Sequence, residues 1–412
     1  MDERHRPFAA VAFDAARKGP LDGVRVLDLS RLVAGNMVSL QLGDLGAEVM
    51  KVEPPRGDPL RDWRDDGEPL FWKTYARNKR SLVLDLRVAQ AREALLRLVQ
   101  GADVLIENYR PGTLEEMGLG PDVLHARNAD LIVVRISGFG QTGPYAELPG
   151  FGTLVEAMSG FAARTGFADR EPVLPPLALA DMIAGLYGTG ATVTALFART
   201  RGLARGQVID VSLLEAIFSI LGPEAAIYRH TGAVKGRVGS ASNTTAPRNV
   251  YRCADGKYVA LSASMQSMAR RVFAVIGRPE MIEDERFRTN SARVKPENRA
   301  LIDEAVGGWF AQRTRDEALR IIRENEVTVG PVYNIDDAVE DAHFRERAII
   351  VEAEDADLGT IPMHNIVPRL SATPGVWRRP APALGEHTDA VLAEAGLDAA
   401  AIERMRREGA AG

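Results

Sequence analysis

Hydrophobic positions fall in short, closely spaced runs over the first third of the chain. "LDGVRVLDLS" reads as a turn followed by a short apolar strand. "RLVAGNMVSLQLGDLGA" carries Val38, Leu40, Leu42 and Leu45, and predicts a helix of about three turns. "EVMKVEPP" is a second strand, stopped by Pro54 and Pro55. A βαβ opening of this kind implies parallel strands. "SLVLDLR", "ADVLIEN" and "LIVVRIS" predict further strands, and intervening segments such as "VAQAREALLRLVQG" are amphipathic helices. Strand and helix alternate, so the expected fold class is α/β with a doubly wound sheet.

From about Ala178 the pattern changes. "ALADMIAGLYGTGATVTALFART" predicts one long helix rich in Ala and Gly, and "SLLEAIFSILGPEAAIYRH" another. "GAVKGRVGSASNTTAPRN" is a polar loop without periodicity, read as a linker or lid. "VYRCADGKYVALSA" is a hairpin around Asp255-Gly256. Helices follow to about Asn325, and the tail carries strand and turn signals and a final helix, "DAVLAEAGL". The expected divisions are an N-terminal surface extension (1–20), a large domain beginning at 21–222, a smaller domain with linkers (223–330) and a C-terminal segment (331–412).

Composition narrows the function. The chain has 412 residues, enough for two domains, with 46% hydrophobic and 26% charged residues. A net charge of -5 and dispersed basic residues argue against nucleic acid as a partner. One cysteine, Cys253, leaves no intrachain disulfide and no Cys-based zinc site, which fits a reducing, cytoplasmic home. The histidines are scattered without i, i+4 pairing to acids, so no metal site is expected. No apolar run reaches the ~18 residues of a membrane span, and the start of the chain lacks a secretory pattern.

"LIVVRISGFGQTGPY" contains G-x-G-x-x-G at Gly138, Gly140 and Gly143. A dinucleotide fingerprint lies between the first strand and a helix facing pyrophosphate. Here the motif follows a later strand, and Pro144 and "LPGFG" stand where the helix should begin. It is read as a glycine-rich turn and not as a nicotinamide or flavin site.

Several segments, taken in order, resemble the class III CoA-transferases, which include formyl-CoA and carnitine CoA-transferases. They are "LDGVRVLDLSRLVAGN", "LGDLGAEVMKVEPPRGDPLRDW", "ARNKRSLVLDLR", "ADVLIENYRPGTLEEMGLG", "ISGFGQTGPY", "ALADMIAG", "RGQVIDVSLLEA", "YRCADGKYVALSA" and "LGEHTDAVL". The resemblance covers nearly all of the chain after residue 20. It implies a Rossmann-like large domain, a small α+β domain, a C-terminal return to the large domain, and a homodimer of interlocked rings. It also implies a reaction in which CoA passes from an acyl-CoA donor to a carboxylic acid, with CoA as substrate and no permanently bound cofactor. An aspartate attacks the thioester, and a mixed anhydride and an aspartyl-CoA thioester follow. The matching position is Asp181.

Read from its residues alone, Asp181 opens an apolar helical run, where Asp is most often an N-cap. A helix N-terminus would hold it ionised. Ala184, Gly185, Gly188 and Gly190 would allow another segment to approach closely, as in helix packing. By the resemblance, Val33 and Ala34 meet the pantetheine arm. Leu84, Asp85, Leu86 and Arg87 hold the adenosine end. Asn108, Tyr109, Arg110, Ile136, Ser137, Gly138 and Phe139 complete the groove, and Arg56 is a further phosphate candidate. The lid region is occupied by Gly236 to Asn243, with Gly239 and Ser240 at its centre. Asn78 to Ser81 reads either as a basic phosphate site or as plain surface. Arg31 and Arg248 are candidates for the distal carboxylate of a dicarboxylic acid, or members of surface ion pairs.

The chain departs from formyl-CoA transferase. Val33 replaces a glutamine, Ser137 a lysine and Glu116 an arginine, and a run of four glycines is absent. A formyl/oxalate pair is therefore not expected, and a larger or more apolar acyl group is. The 2-methylacyl-CoA racemases share the resemblance, but the position of their histidine is Phe151 here, expected to pack in the core. The racemase and a non-catalytic CoA-binding protein remain the alternatives.

Overall fold

The computed structural model describes residues 8–412. Its strands are β1 (Ala9–Val11), β2 (Arg25–Asp28), β3 (Glu48–Glu53), β4 (Lys79–Val83), β5 (Val104–Glu107), β6 (Ile132–Ser137), β7 (Gln207–Ser212), β8 (Arg248–Arg252), β9 (Tyr258–Ser262), β10 (Val329–Pro331), β11 (Ile350–Asp355) and β12 (Gly359–His364). Contacts divide the chain into two units. The larger takes in the chain up to Phe161, Leu174–Gly222 and Ala342–Gly412, and the smaller Ala162–Val173 and Pro223–Asp341.

In the larger unit six parallel strands form one sheet in the order β4-β3-β2-β5-β6-β7. Covered on both faces, its strands are nearly continuous apolar runs, and every residue of β6 is buried. Alternate side chains serve opposite layers. Leu27 packs with the helix Ala89–Val99 and the C-terminal helices, whereas Val26 packs with the helices Ala34–Asp44 and Leu179–Thr200. Strand order reverses between β2 and β5. In an open α/β sheet the ligand crevice lies at that reversal, outside the carboxyl ends of the strands.

Several elements differ from the expectations. Of the N-terminal extension, residues 1–7 lie outside the described residues, and within it Ala9–Val11, largely exposed, pairs in parallel with β11. "SLLEAIFSILGPEAAIYRH" is two helices, Leu213–Ser219 and Glu224–Thr231, because Gly222 takes φ 80 and Pro223 follows it. β7 carries no strand signature in the sequence; as the edge strand it is only partly buried and lacks a continuous apolar run. "DAVLAEAGL" is followed by one more helix, Ala399–Arg407. The chain end then returns to β4, where Leu84 bridges Ala411 and the Asp85 N–H donates to the Ala410 carbonyl at 3.0 Å.

The smaller unit holds the antiparallel sheet β10-β9-β8, with the hairpin turning at Gly256 (φ 80). Val259, Phe273, Ile302 and Phe310 lie in its core.

Candidate active site

The crevice begins with the turn after β2. Leu32 takes a left-handed φ of 61, which costs a residue with a Cβ and persists only where its surroundings over-determine it. They do so here. Asp58 Oδ1 accepts the Leu32 N–H at 2.9 Å, and Asn36 Nδ2 donates to the Leu32 carbonyl at 2.6 Å and to Asp58 Oδ2 at 2.7 Å. Beneath lies a sealed ionic cluster. Lys51 bridges Asp28 (3.3 Å) and Asp58 (3.0 Å), and Lys79 lies 3.5 Å from Asp28 and donates to Asn36 Oδ1 at 2.7 Å. Burial pushes the Lys79 ammonium down to about 8 against the pull of Asp28. Both readings of Asn78 to Ser81 are thereby corrected. All of these residues are buried, Lys79 completely, so the segment is neither open surface nor an accessible phosphate site.

The second wall follows β5. Asn108 ties it to the first turn, accepting the Arg31 N–H at 2.8 Å and donating to the Arg31 carbonyl at 2.7 Å. Tyr109 lies under the Arg31 guanidinium, 5.2 Å from ring centroid to Cζ. Arg31 is exposed and stacked, and it forms no ion pair among the described residues.

The long helix Leu179–Thr200 crosses beside the helix Ala34–Asp44. Gly185 abuts the Ala34 carbonyl and the Met37 side chain, and Gly188 abuts Val38, so the two helices run the same way. Gly190 faces open space. Asp181 stands one turn before Gly185, about 6 Å further toward the turn after β2. It is not the N-cap but the third residue of the helix, behind Ala178, and the cap carries no side-chain hydrogen bond.

A second helix, Gly152–Met158, brings its N-terminus to the same place. A methyl group on Gly152 would collide with the Asp181 carboxylate. Gly138 and Gly150 make this approach possible: a Cβ on Gly138 would lie 2.6 Å from the Gly150 Cα. The first glycine of the G-x-G-x-x-G run thus serves a backbone crossing. Glu156, 2% exposed, accepts the Ala180 N–H at 3.0 Å. Burial first, and then the Glu156 charge, push the Asp181 carboxyl up to about 6. The helix N-terminus does not set the acidity of Asp181 by itself: desolvation and a like charge outweigh it and raise the carboxyl, which stays mostly ionised at neutral pH.

The other candidates are placed as follows. Val33 and Ala34 are buried where the turn enters its helix. Leu84 and Leu86 point into the core; the Leu84 N–H donates to the Glu53 carbonyl at 2.9 Å and the Leu86 carbonyl accepts from the Arg92 guanidinium at 2.9 Å. Arg87 is exposed and forked onto Asp85 at 2.7 and 2.8 Å. Arg56 is exposed, and Arg110 reaches the Glu147 carbonyl at 3.4 Å. Ile136 is core, and Ser137 Oγ accepts the Gly140 N–H at 3.0 Å. The Gly138 carbonyl accepts the Leu214 N–H, and Phe139 meets Tyr145 edge-to-face. Gly239 and Ser240 belong to the smaller unit, where the Gly239 N–H donates to the Gly166 carbonyl at 2.8 Å. Arg248 is exposed in the same unit. Phe151 is 62% exposed, which corrects the core placement expected of it. Glu156 escaped the sequence reading, since nothing local marks a single Glu in "TLVEAMSG" as buried. Among the described residues no group of His, Cys, Asp and Glu could hold a metal ion.

A parallel sheet whose strand order reverses between β2 and β5 and a half-buried aspartate at a helix start can be compared with known proteins. The model of CoA-transferase family III matches residues 21–388. The chain belongs to CoA-transferase family III. Among its relatives is succinyl-CoA–D-citramalate CoA-transferase of Chloroflexus aurantiacus, 41% identical over 91% of this chain and 94% of that protein. Succinate–glutarate CoA-transferase of Agrobacterium fabrum is 36% identical over 92% and 96%. The crystal structure of a CaiB/BaiF family protein from Brucella suis superposes with a TM-score of 0.80 at 35% identity, covering 92% of this chain and 100% of that one. The chain is therefore a CoA-transferase, an enzyme of a family that uses CoA thioesters as substrates.

Proposed function

We propose that the enzyme moves CoA from a succinyl-CoA-type donor to a dicarboxylic acid, with Asp181 as the nucleophile. The observation that carries this reading is the Asp181 carboxylate, half-buried beside the turn after β2 with its acidity weakened to about 6. A carboxylate of raised basicity is a better nucleophile toward a thioester and is still ionised at neutral pH. An Asp181 oxygen adds to the thioester carbonyl, the C–S bond breaks, and CoA leaves as thiolate. The thiolate then attacks the aspartyl carbonyl of the anhydride and expels the donor acid as carboxylate. The acceptor carboxylate reverses the two steps on the aspartyl-CoA thioester.

CoA is assigned to the crevice lined by Val33, Ala34, the Leu84–Arg87 backbone, Asn108 to Arg110 and Ile136 to Phe139. Arg56 and Arg87 offer charge to its phosphates. The dicarboxylate is supported by two things. The relatives above carry succinate, citramalate and glutarate in their names. Arg31 also presents an exposed guanidinium at the crevice, held by Asn108 and stacked on Tyr109. Val33 in place of a glutamine supports an acyl group larger than formyl.

The division of labour between a Rossmann-like large domain and a smaller domain carrying the lid residues Gly239 and Ser240 is part of this reading. So is a homodimer of interlocked rings. Leu186, Tyr187, Phe197, Phe218 and Ile220 leave an apolar face exposed on the larger unit, as a dimer surface would. A cytoplasmic site of action fits the single cysteine; among the described residues no helix is long and apolar enough to cross a membrane.

The reading is tested by incubating the enzyme with succinyl-CoA and a panel of acids and separating the CoA esters. New esters of dicarboxylic acids, formed with ping-pong kinetics, are expected. Deuterium washing into the α position of an acyl-CoA without any acceptor would instead favour the racemase alternative.

A further inference from the structure

Glu156 is a buried carboxylate beside the nucleophile, with no ion-pair partner among the described residues. Its recorded hydrogen bond is from the Ala180 N–H, at 3.0 Å. Ala180 is the second residue of the long helix and Asp181 the third. The two carboxylates therefore share one helix N-terminus, and Gly152, on the helix that carries Glu156, touches Asp181. Burying an unpaired carboxylate is costly. At 2% exposure, Glu156 sets its charge beside a second acid with little solvent between to screen it.

We propose that Glu156 is a positioning residue that uses its negative charge to drive Asp181 into its covalent, uncharged states. The proposal rests on the reading of Asp181 as nucleophile. In the resting enzyme two like charges face each other at one helix end. When the Asp181 oxygen bonds to the acyl carbon and the C–S bond breaks, the negative charge passes to the departing CoA sulfur. Asp181 is then neutral, as the anhydride and afterwards as the aspartyl-CoA thioester, and the repulsion is relieved. The Ala180 N–H holds the Glu156 carboxylate in place through these steps.

The groups on the other elements packed against the long helix are engaged or turned away. Arg135 on β6 pairs with Glu107 and Glu115. Asp210 on β7 accepts the Gln141 N–H. Asp44 on the helix Ala34–Asp44 pairs with Arg77, and Glu215 on the helix Leu213–Ser219 is exposed. Glu156 is the one of these whose charge acts on Asp181, adding to the effect of burial.

The test is the variant Glu156→Gln, which keeps the size and the acceptor for Ala180 but removes the charge. Two quantities are read: the midpoint of the acid limb of kcat/KM, and the fraction of enzyme trapped as an Asp181 adduct during turnover. The midpoint is expected to fall by about one pH unit and the trapped fraction by about tenfold, the equivalent of one unit. Glu156→Asp keeps the charge and is expected to hold the midpoint within about half a unit of wild type. An unchanged midpoint and trapped fraction in E156Q would overturn the proposal. So would a fall in E156D as large as in E156Q, which would assign the effect to packing. Wild-type enzyme that carries no label on Asp181 would instead overturn the nucleophile reading itself, and the two failures are thereby told apart.

Discussion

At the residue scale, the proposed nucleophile Asp181 carries a structural cost. Its carboxyl is raised from 3.8 to about 6, so activity that needs the carboxylate should rise with pH through a midpoint near 6 and level off above it. The same shift fixes the sign for stability. The folded state disfavours the charged form, so the native protein loses stability as pH rises from about 4 to about 6. Above that range the loss stays constant at about 2–3 kcal/mol. Asp181→Asn should therefore lose at least about 10³-fold in turnover, yet melt a few degrees higher than wild type at pH 8 and no higher at pH 4. Scanning calorimetry at the two pH values checks it. Arg31→Ala should raise KM for a dicarboxylic acceptor by about 10- to 100-fold, the worth of a charged hydrogen bond, and leave a monocarboxylic acid unaffected. The motif in the ordered set points to Asp181, but nothing in the sequence describes its environment. Glu156 is 24 residues from Ala180, and the contact depends on a backbone crossing between Gly138 and Gly150 that no local pattern signals.

At the scale of elements, buried parallel strands were readable because both faces are covered and the runs are uninterrupted. β7, at the edge and only partly buried, lacked that signature. Lys79 was misread for a physical reason. Lysine is almost always solvated, and only the convergence of Asp28 and Asn36 from another strand and helix makes its complete burial tolerable. The crossing at Gly138 gives a direct prediction. In Gly138→Ala the new Cβ meets backbone at Gly150, which cannot rotate away. The variant should lose about 1–3 kcal/mol in urea unfolding, and more turnover than CoA affinity, because the Gly152 contact with Asp181 moves.

At the scale of the whole molecule, the smaller unit is built from two separate stretches, with Ala162–Val173 inserted ahead of the long helix. Composition shifts mark where periodicity changes, not which stretches pack together, so the short stretch was invisible in the sequence. In the proposed homodimer, the exposed side chains of Leu186, Tyr187 and Phe197 are candidates for the surface between copies. Sedimentation should find a dimer at micromolar concentration, and Leu186→Asp with Phe197→Asp should shift it toward monomer.

Mass spectrometry of the enzyme during turnover of succinyl-CoA, trapped with hydroxylamine or borohydride, tests the central claim most directly. A modification confined to Asp181 and absent from D181N is the predicted result. Full turnover with Asp181 unmodified, or undiminished transfer by D181N, would contradict it.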